Sequence, residues 1–230
     1  MTNLEKFNNI LLAENVREEF YKAIEEKEFE KFLREKLPEI FACKNNAQNN
    51  PWHIYNVLDH ILVSVEKMNQ QTQGMDEAER KLLAYTMLFH DIGKPAKKIQ
   101  RKKDGKIIDS FFDHNKESEK IAQARLENFG FEGQEKSVIQ KLVDKHDIFM
   151  FIKSYPTTNP YWRQLTPQLI EDEIADLSSS GDGEKILKWL VMVGRSDSLA
   201  QNPAMTREAL ELLDLFDEMI RDRDDNGKEI

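Results

Sequence analysis

The sequence predicts an all-α protein, and three observations carry that reading. Glycine and proline are sparse, at 9 and 7 of 230 residues. Glu, Lys, Leu and Ala, which enter a helix at little cost, abound. Apolar residues recur at steps of three and four along most of the chain, the spacing that gathers them on one helix face.

Taken in order, residues 3–40 are charged and helical in pattern. Leu4, Phe7, Ile10 and Leu11, then Phe20 and Ile24, then Phe29, Phe32 and Leu33 form an apolar stripe ending at Pro38. Such a stripe has to be covered by another surface, so residues 1–50 read as an N-terminal helical extension. Lys44 to Pro51 is the linker candidate, because an Asn-rich polar run builds no core. Helical spacing resumes from Ile54 to about Met68 and from Asp76 to His90, where Gly93 and Pro95 read as stop signals. Within 97–112, Asp104-Gly105 separates Ile99 from Ile107-Ile108 and predicts one short β-hairpin. Asp113 or Asn115 is expected to cap a helix to about Asn128, and another follows from about Gln134 to Asp147. Tyr155 to Arg163, rich in Pro, Thr and aromatics, predicts a loop; Thr166-Pro167 reads as an N-cap and first helical residue. Helices over about 167–179, 184–200 and 205–222 precede a charged tail, expected to fray from Asp224. The expected division is an extension over 1–50, a core over 51–202, and a C-terminal helix and tail over 203–230.

Composition narrows the functional classes. A net charge of -9 and a pI near 5.2 argue against a general nucleic-acid coat protein. The only cysteine is Cys43, so an intrachain disulfide is excluded and a reducing compartment is expected. The start Met1-Thr2-Asn3-Leu4 lacks the apolar core of a signal peptide. No apolar run approaches the roughly 20 residues of a membrane span. The expectation is a soluble cytoplasmic protein with no membrane partner, its oligomeric state open.

The chemistry lies in the histidines. The chain has 5, and four of them fall in order with two aspartates: His60, His90-Asp91, His114, His146 and Asp197. A His-Asp dipeptide alone is weak, since chance supplies one about a third of the time. A second, His146-Asp147, is indeed present. Direction carries more weight. Asp197 shares a helix face with Ile186, Leu190 and Val193; His90 with Leu83, Thr86 and Met87; His146 with Ile139, Leu142 and Val143. His60 follows His53 by two turns, with Val57 between. A carboxylate on an apolar face has to be paired or neutralised, by a metal ion or a histidinium. Each site alone also fits a core histidine bonded to a backbone carbonyl, or an aspartate paired with arginine. Convergence of all of them on one centre is the simpler reading.

The order His60, His90-Asp91, Asp197 resembles the HD domain superfamily of metal-dependent phosphohydrolases, in particular the HD domain attached to bacterial tRNA nucleotidyltransferases. Four segments carry the likeness: Asn50-Pro51-Trp52-His53 through Val57-Leu58-Asp59-His60; Leu88-Phe89-His90-Asp91-Ile92-Gly93-Lys94-Pro95; Phe112-Asp113-His114 with Ser118; and Arg195-Ser196-Asp197-Ser198-Leu199-Ala200. They span about residues 51–202. The nucleotidyltransferase head is missing, as are the Glu-Asp pair of alarmone hydrolases and the Gly-Tyr-Pro signature of cyclic-di-GMP hydrolases. Asn115 stands where related domains often carry Glu.

The resemblance implies an HD-domain helical bundle binding one or two divalent metal ions. His60, His90, Asp91 and Asp197 would hold the first; Asp91, His114 and His146 the second. Such N/O ligands suit Mn, Fe, Ni, Co or Zn, or Mg if waters remain. Asp91 and Lys94 are the catalytic candidates. Lys94 would meet a substrate phosphate, or merely stabilise a helix C-terminus by roughly 0.3–1 kcal/mol. Arg195 reaches either a phosphate or a surface acid, and His53 either lines the pocket or orients His60. Lys94, Lys97, Lys98, Arg101, Lys102, Lys103 and Lys106 crowd one stretch against the lone Asp104. That basic segment could hold a polyphosphorylated nucleotide or an RNA end, or be a solvated hairpin. Tyr161, Trp162 and Arg163 offer either a stacking platform or loop anchors. The expected activity is hydrolysis of a nucleotide or nucleic-acid-end phosphate ester, monoester or 2′,3′-cyclic diester. The alternatives are a deoxynucleotide triphosphohydrolase and a non-catalytic module that binds RNA or a protein partner.

Overall fold

Helix starts fall where side chains can satisfy the first free amides. A computed structural model describes the backbone of residues 1–226, with side chains through Arg223. Thr2 opens α1 (Asn3–Leu11) with a capping box: its hydroxyl accepts the Glu5 amide, and the Glu5 carboxylate accepts the Thr2 amide. Asn56, Asp76, Thr166 and Asp182 cap α5 (Val57–Gln71), α6 (Glu77–Phe89), α10 (Pro167–Leu177) and α11 (Gly183–Leu199), each through a side-chain oxygen that accepts one first-turn amide. The remaining helices are α2 (Val16–Ala23), α3 (Lys27–Lys36), α4 (Glu39–Lys44), α7 (Lys94–Lys97), α8 (His114–Arg125), α9 (Gly133–Lys145) and α12 (Arg207–Asn226). The short α7 leaves too brief an apolar pattern to be read from sequence. The last helix passes the end expected at residue 222; the rest of the tail expected to fray lies outside the described residues.

The fold is all-α with one small antiparallel hairpin, β1 (Ile99–Lys103) and β2 (Lys106–Ser110). Asp104 and Gly105 both have positive φ, 49° and 78°, as a two-residue turn between twisted strands requires. A two-residue parallel pairing of β3 (Ile152–Lys153) with β4 (Arg163–Gln164) closes the 154–162 loop. Nothing in the local pattern predicts it.

One continuous core joins the N-terminal helices to the centre. The Phe7 ring lies 6.1 Å from Tyr85 and 5.5 Å from Phe129, and the Tyr85 hydroxyl donates to Asn8 Oδ1 at 2.7 Å. The apolar stripe of α1–α3 is therefore covered by α6 and its neighbours. Residues 45–51 do not behave as a loose polar linker either. Their backbone and amide side chains bond to the hairpin, to Lys94 and to the start of α5. Asn49 exchanges bonds with Asp109 at 2.8 and 2.9 Å, and Gln48 is 6% exposed. Asn-rich composition cannot reveal such long-range partners. Among the described residues no helix is long and apolar enough to cross a membrane.

Two expected helix signals act differently. Asp113 precedes α8 with φ 58° and makes no side-chain cap, while Asn115 inside the helix donates to the Asp144 carbonyl at 2.7 Å. Gly93 has φ -80°, so it is no left-handed helix stop. It is required for space: a Cβ there would lie 2.5 Å from the Ser118 nitrogen and 2.6 Å from the His114 oxygen. The Gly93 amide instead donates to Ser118 Oγ at 2.9 Å.

Candidate metal centre

Helix ends converge on one buried point. His60 lies in the first turn of α5, and His90 caps α6 with Asp91 behind it. His114 opens α8, His146 caps α9, and Asp197 sits in the last turn of α11. Three of the imidazoles are anchored alike, each through Nδ1 to the carbonyl three residues earlier. His90 meets Met87 at 2.6 Å, His114 meets Phe111 at 2.8 Å and His146 meets Val143 at 2.7 Å. His60 Nδ1 faces the Ala200 carbonyl at 3.3 Å. A carbonyl can only accept, so each Nδ1 carries a proton and each ring turns Nε2 inward, the nitrogen left to hold an ion or take up a second proton.

Those nitrogens crowd together. The Nε2 atoms of His60 and His90 are 3.3 Å apart, and those of His114 and His146 are 3.2 Å apart. Asp197 Oδ1 lies 2.9 Å from His60 Nε2 and 3.7 Å from His90 Nε2. Asp91 divides its oxygens: Oδ2 is 3.1 Å from His60 Nε2, and Oδ1 is 3.0 Å from His114 Nε2 and 3.6 Å from His146 Nε2. Ligand atoms of His60, His90, Asp91 and Asp197 all lie within 4.8 Å of one another, as do those of Asp91, His114 and His146. Acceptor atoms facing acceptor atoms need a cation or protons between them. Asp91 Oδ2 is buried and meets Lys94 Nζ at 2.6 Å and the His60 and His90 nitrogens at 3.1 and 3.4 Å, so it faces the place an ion would take. The residues fit a divalent metal.

Electrostatics follow from the same geometry. Burial opposes charge on His60, but the bonds to Asp197 and Asp91 overcome it and raise the imidazole to about 9. His146 rises to about 9 as well, its burial outweighed by Asp147 and Asp91. At His90 burial prevails over the carboxylates and lowers it. Burial works against ionised Asp91, yet Lys94 and the histidines hold it well below the ordinary carboxylate range; His60 and His90 do the same for Asp197.

Lys94 belongs to this centre and is no exposed helix-end cation, being 5% exposed. Its Nζ lies 2.6 Å from Asp91 Oδ2, 2.9 Å from Gln48 Oε1 and 3.1 Å from His53 Nε2. Asn50 Oδ1 accepts from the Trp52 amide and stands 2.8 Å from His53 Nδ1, so Nδ1 donates and Nε2 is free to accept from Lys94. The His53 ring meets His60 edge-on at 5.2 Å, but its bonds go to Lys94 and Asn50. Of the two partners open to Arg195, a phosphate or a surface acid, the structure shows the acid. The side chain points out of the cluster and is taken up by Asp214 and Asp217, each at 2.7 Å, because α12 lies along that face of α11. Tyr161 and Trp162 are not loop anchors in the core: they are 79% and 38% exposed, and Arg163 pairs with Glu173 at 2.8 Å.

Sequence reasoning missed three neighbours. Gln201 Nε2 donates to both Asp197 oxygens at 3.1 and 3.2 Å, Gln48 holds Lys94, and Asp147 faces His114 and His146 at 3.3 and 3.4 Å. Only Asp147 had left a signal, in the His146-Asp147 dipeptide.

A family model described as HD domain matches residues 53–180, more than half of the chain. The chain belongs to the HD domain family. Membership implies a metal-dependent phosphohydrolase, and the buried His/Asp cluster agrees with that class of chemistry. Five of the six metal-ligand candidates from sequence, His60, His90, Asp91, His114 and His146, lie inside the matched stretch. Asp197 lies beyond it and is brought in by α11. No curated protein matches the chain.

Proposed function

We propose that this HD domain hydrolyses a phosphate ester on a nucleotide or a nucleic-acid end, either a monoester or a 2′,3′-cyclic diester. The observation that carries the reading is the inward Nε2 set of four carbonyl-anchored histidines around Asp91 and Asp197. His60, His90, Asp91 and Asp197 would hold one divalent ion, and Asp91, His114 and His146 a second. Bound there, the metal supplies Lewis acidity, making hydroxide available near neutral pH and offsetting phosphoryl charge.

The chain's own residues supply the rest. Each backbone carbonyl takes the Nδ1 proton and holds its imidazole with Nε2 inward, so little reorientation is required on binding. Lys94 places a buried cation beside Asp91, where phosphoryl oxygens would approach. Its three donors already face Asp91, Gln48 and His53, so a substrate oxygen would replace one of them.

The base and sugar side of the substrate is argued from the hairpin. Every residue of β1 is exposed, Arg101, Lys102 and Lys103 included. The sheet docks through Asn49 and Lys98 on residues 47–49, the segment that also carries Gln48 to Lys94. Lys103 lies over the partly exposed Trp52 ring at 5.3 Å, one residue from His53. Cations beside an aromatic face suit a phosphate chain with an unstacked base.

The test is an assay of Mn²⁺-loaded protein against nucleoside 3′- and 5′-monophosphates, 2′,3′-cyclic nucleotides, oligonucleotides with those ends, and deoxynucleoside triphosphates. Phosphate release or ring opening that vanishes in Asp91→Ala supports the proposal. Tripolyphosphate release would redirect it to a triphosphohydrolase. No hydrolysis by metal-loaded protein would leave a binding module.

A further inference from the structure

We propose that Asp147 is a ligand of the second metal position, completing with Asp91, His114 and His146 a site of two imidazoles and two carboxylates for a divalent transition cation. The inference rests on the metal-dependent reading and adds to it a residue from a dipeptide that chance alone could explain.

The geometry is as follows. α9 is capped by His146, and the carboxylate of the next residue faces both rings. Asp147 Oδ2 lies 3.3 Å from His114 Nε2, and Oδ1 lies 3.4 Å from His146 Nε2. Both rings already donate through Nδ1, to Phe111 and Val143, so the nitrogens facing Asp147 are the ones left to hold an ion or take up a second proton. Asp91 Oδ1 faces the same two nitrogens at 3.0 and 3.6 Å. Two imidazole nitrogens thus stand among carboxylate oxygens, and among the described residues Asp147 has no other ion pair. Asp91 is buried, with 2% of its side chain exposed, whereas Asp147 keeps 21%. The pair of carboxylates therefore includes an inner one and one on the solvent side.

Charge argues the same way. With two dications bound, Asp91 and Asp197 alone would leave a large positive excess beside the Lys94 ammonium. A third carboxylate reduces that excess and still leaves the centre positive enough to attract a phosphate dianion. Two nitrogens and two carboxylate oxygens suit Mn, Fe, Co, Ni or Zn better than Ca or Mg, which favour oxygen alone.

The experiment is titration of the chelator-treated full chain with Mn²⁺, followed by calorimetry and by electron paramagnetic resonance. The wild type is expected to take two ions per chain and to show the spectrum of an exchange-coupled pair. Asp147→Asn, of the same size, should keep the first ion and bind the second about tenfold or more weakly, with an uncoupled spectrum. Asp147→Glu, which retains the carboxylate, should recover the coupled pair, separating ligation from a purely structural role. Asp144→Asn, three residues earlier in the last turn of α9 and paired with Lys116, should behave as the wild type. The inference is overturned if Asp147→Asn binds both ions with wild-type affinity, or if the wild type holds one ion only. A wild type that binds none removes the metal-dependent reading itself.

Discussion

Asp91 is the side chain on which both ligand groups depend, because its two oxygens face opposite pairs of histidines. Asp91→Ala is therefore expected to abolish binding of both ions and hydrolysis with it, whereas His114→Ala should spare the ion at His60, His90 and Asp197. Metal analysis of the two variants checks this; two ions retained by Asp91→Ala would refute the shared ligand. Gln201 predicts a subtler loss. Its amide holds both Asp197 oxygens, so Gln201→Ala should weaken the first ion by roughly 10–100-fold with the fold intact, as a ligand's hydrogen-bonding partner does. An unchanged binding isotherm would contradict it. At this scale the sequence was legible where chemistry and periodicity coincided: a His or Asp on an otherwise apolar helix face. Gln48, Gln201 and Asn50 were not, because a neutral amide gains its meaning from a partner far along the chain. Arg195 was ambiguous for a related reason. Its offset from Asp197 places it on a different face of α11, and only α12 determines what it meets there.

Between residues and the whole stand two contacts that hold elements together. Gly93 lets α7 approach the start of α8 until a methyl group no longer fits. Gly93→Ala is expected to push His114 away from Asp91 and to destabilise the fold by about 1–3 kcal/mol. Thermal unfolding with Mn²⁺ titration tests both parts, and loss of stability with the second ion bound as before would separate them. The hairpin is held through Asp109, which accepts from the Asn49 amide at 2.8 Å and Lys98 Nζ at 2.9 Å. Burial opposes its charge, but those two donors lower it below the ordinary range. A depressed acid contributes stability above its unfolded value, about 3.9, and loses it as pH falls through the folded value. Asp109→Asn should therefore cost about 1 kcal/mol at pH 7, with the gap to wild type closing below about pH 4. A gap that persists in acid would mean packing, not charge, holds the hairpin. Element positions were readable in advance because caps and apolar stripes are local. The β3–β4 pairing and the docking of residues 45–51 were not, since both depend on contacts across the sequence.

At the scale of the molecule, one core and one charged centre share the same helices. The N-terminal stripe showed from sequence that α1–α3 must be covered, but not by what; the rings around Phe7 answer that. Phe7→Ala should cost about 3–5 kcal/mol and lower a single unfolding transition shared by all probes. Two separated transitions would mean that the extension folds apart from the rest. The centre itself is a load on this fold, because buried carboxylates and imidazoles face one another without enough protons to bond them all. An ion that binds only the folded chain relieves that load and shifts the equilibrium by mass action. At a free concentration 100 times its dissociation constant, one such ion stabilises by about 2.7 kcal/mol. For a chain of this size that corresponds to a rise of roughly 5–10 °C in Tm. Chelation should reverse it, and Asp91→Ala should show no response, since its ligand groups are broken. A wild-type Tm indifferent to Mn²⁺, Co²⁺ and Zn²⁺ alike would mean that protons alone balance the cluster, and that this HD domain does not act through a metal.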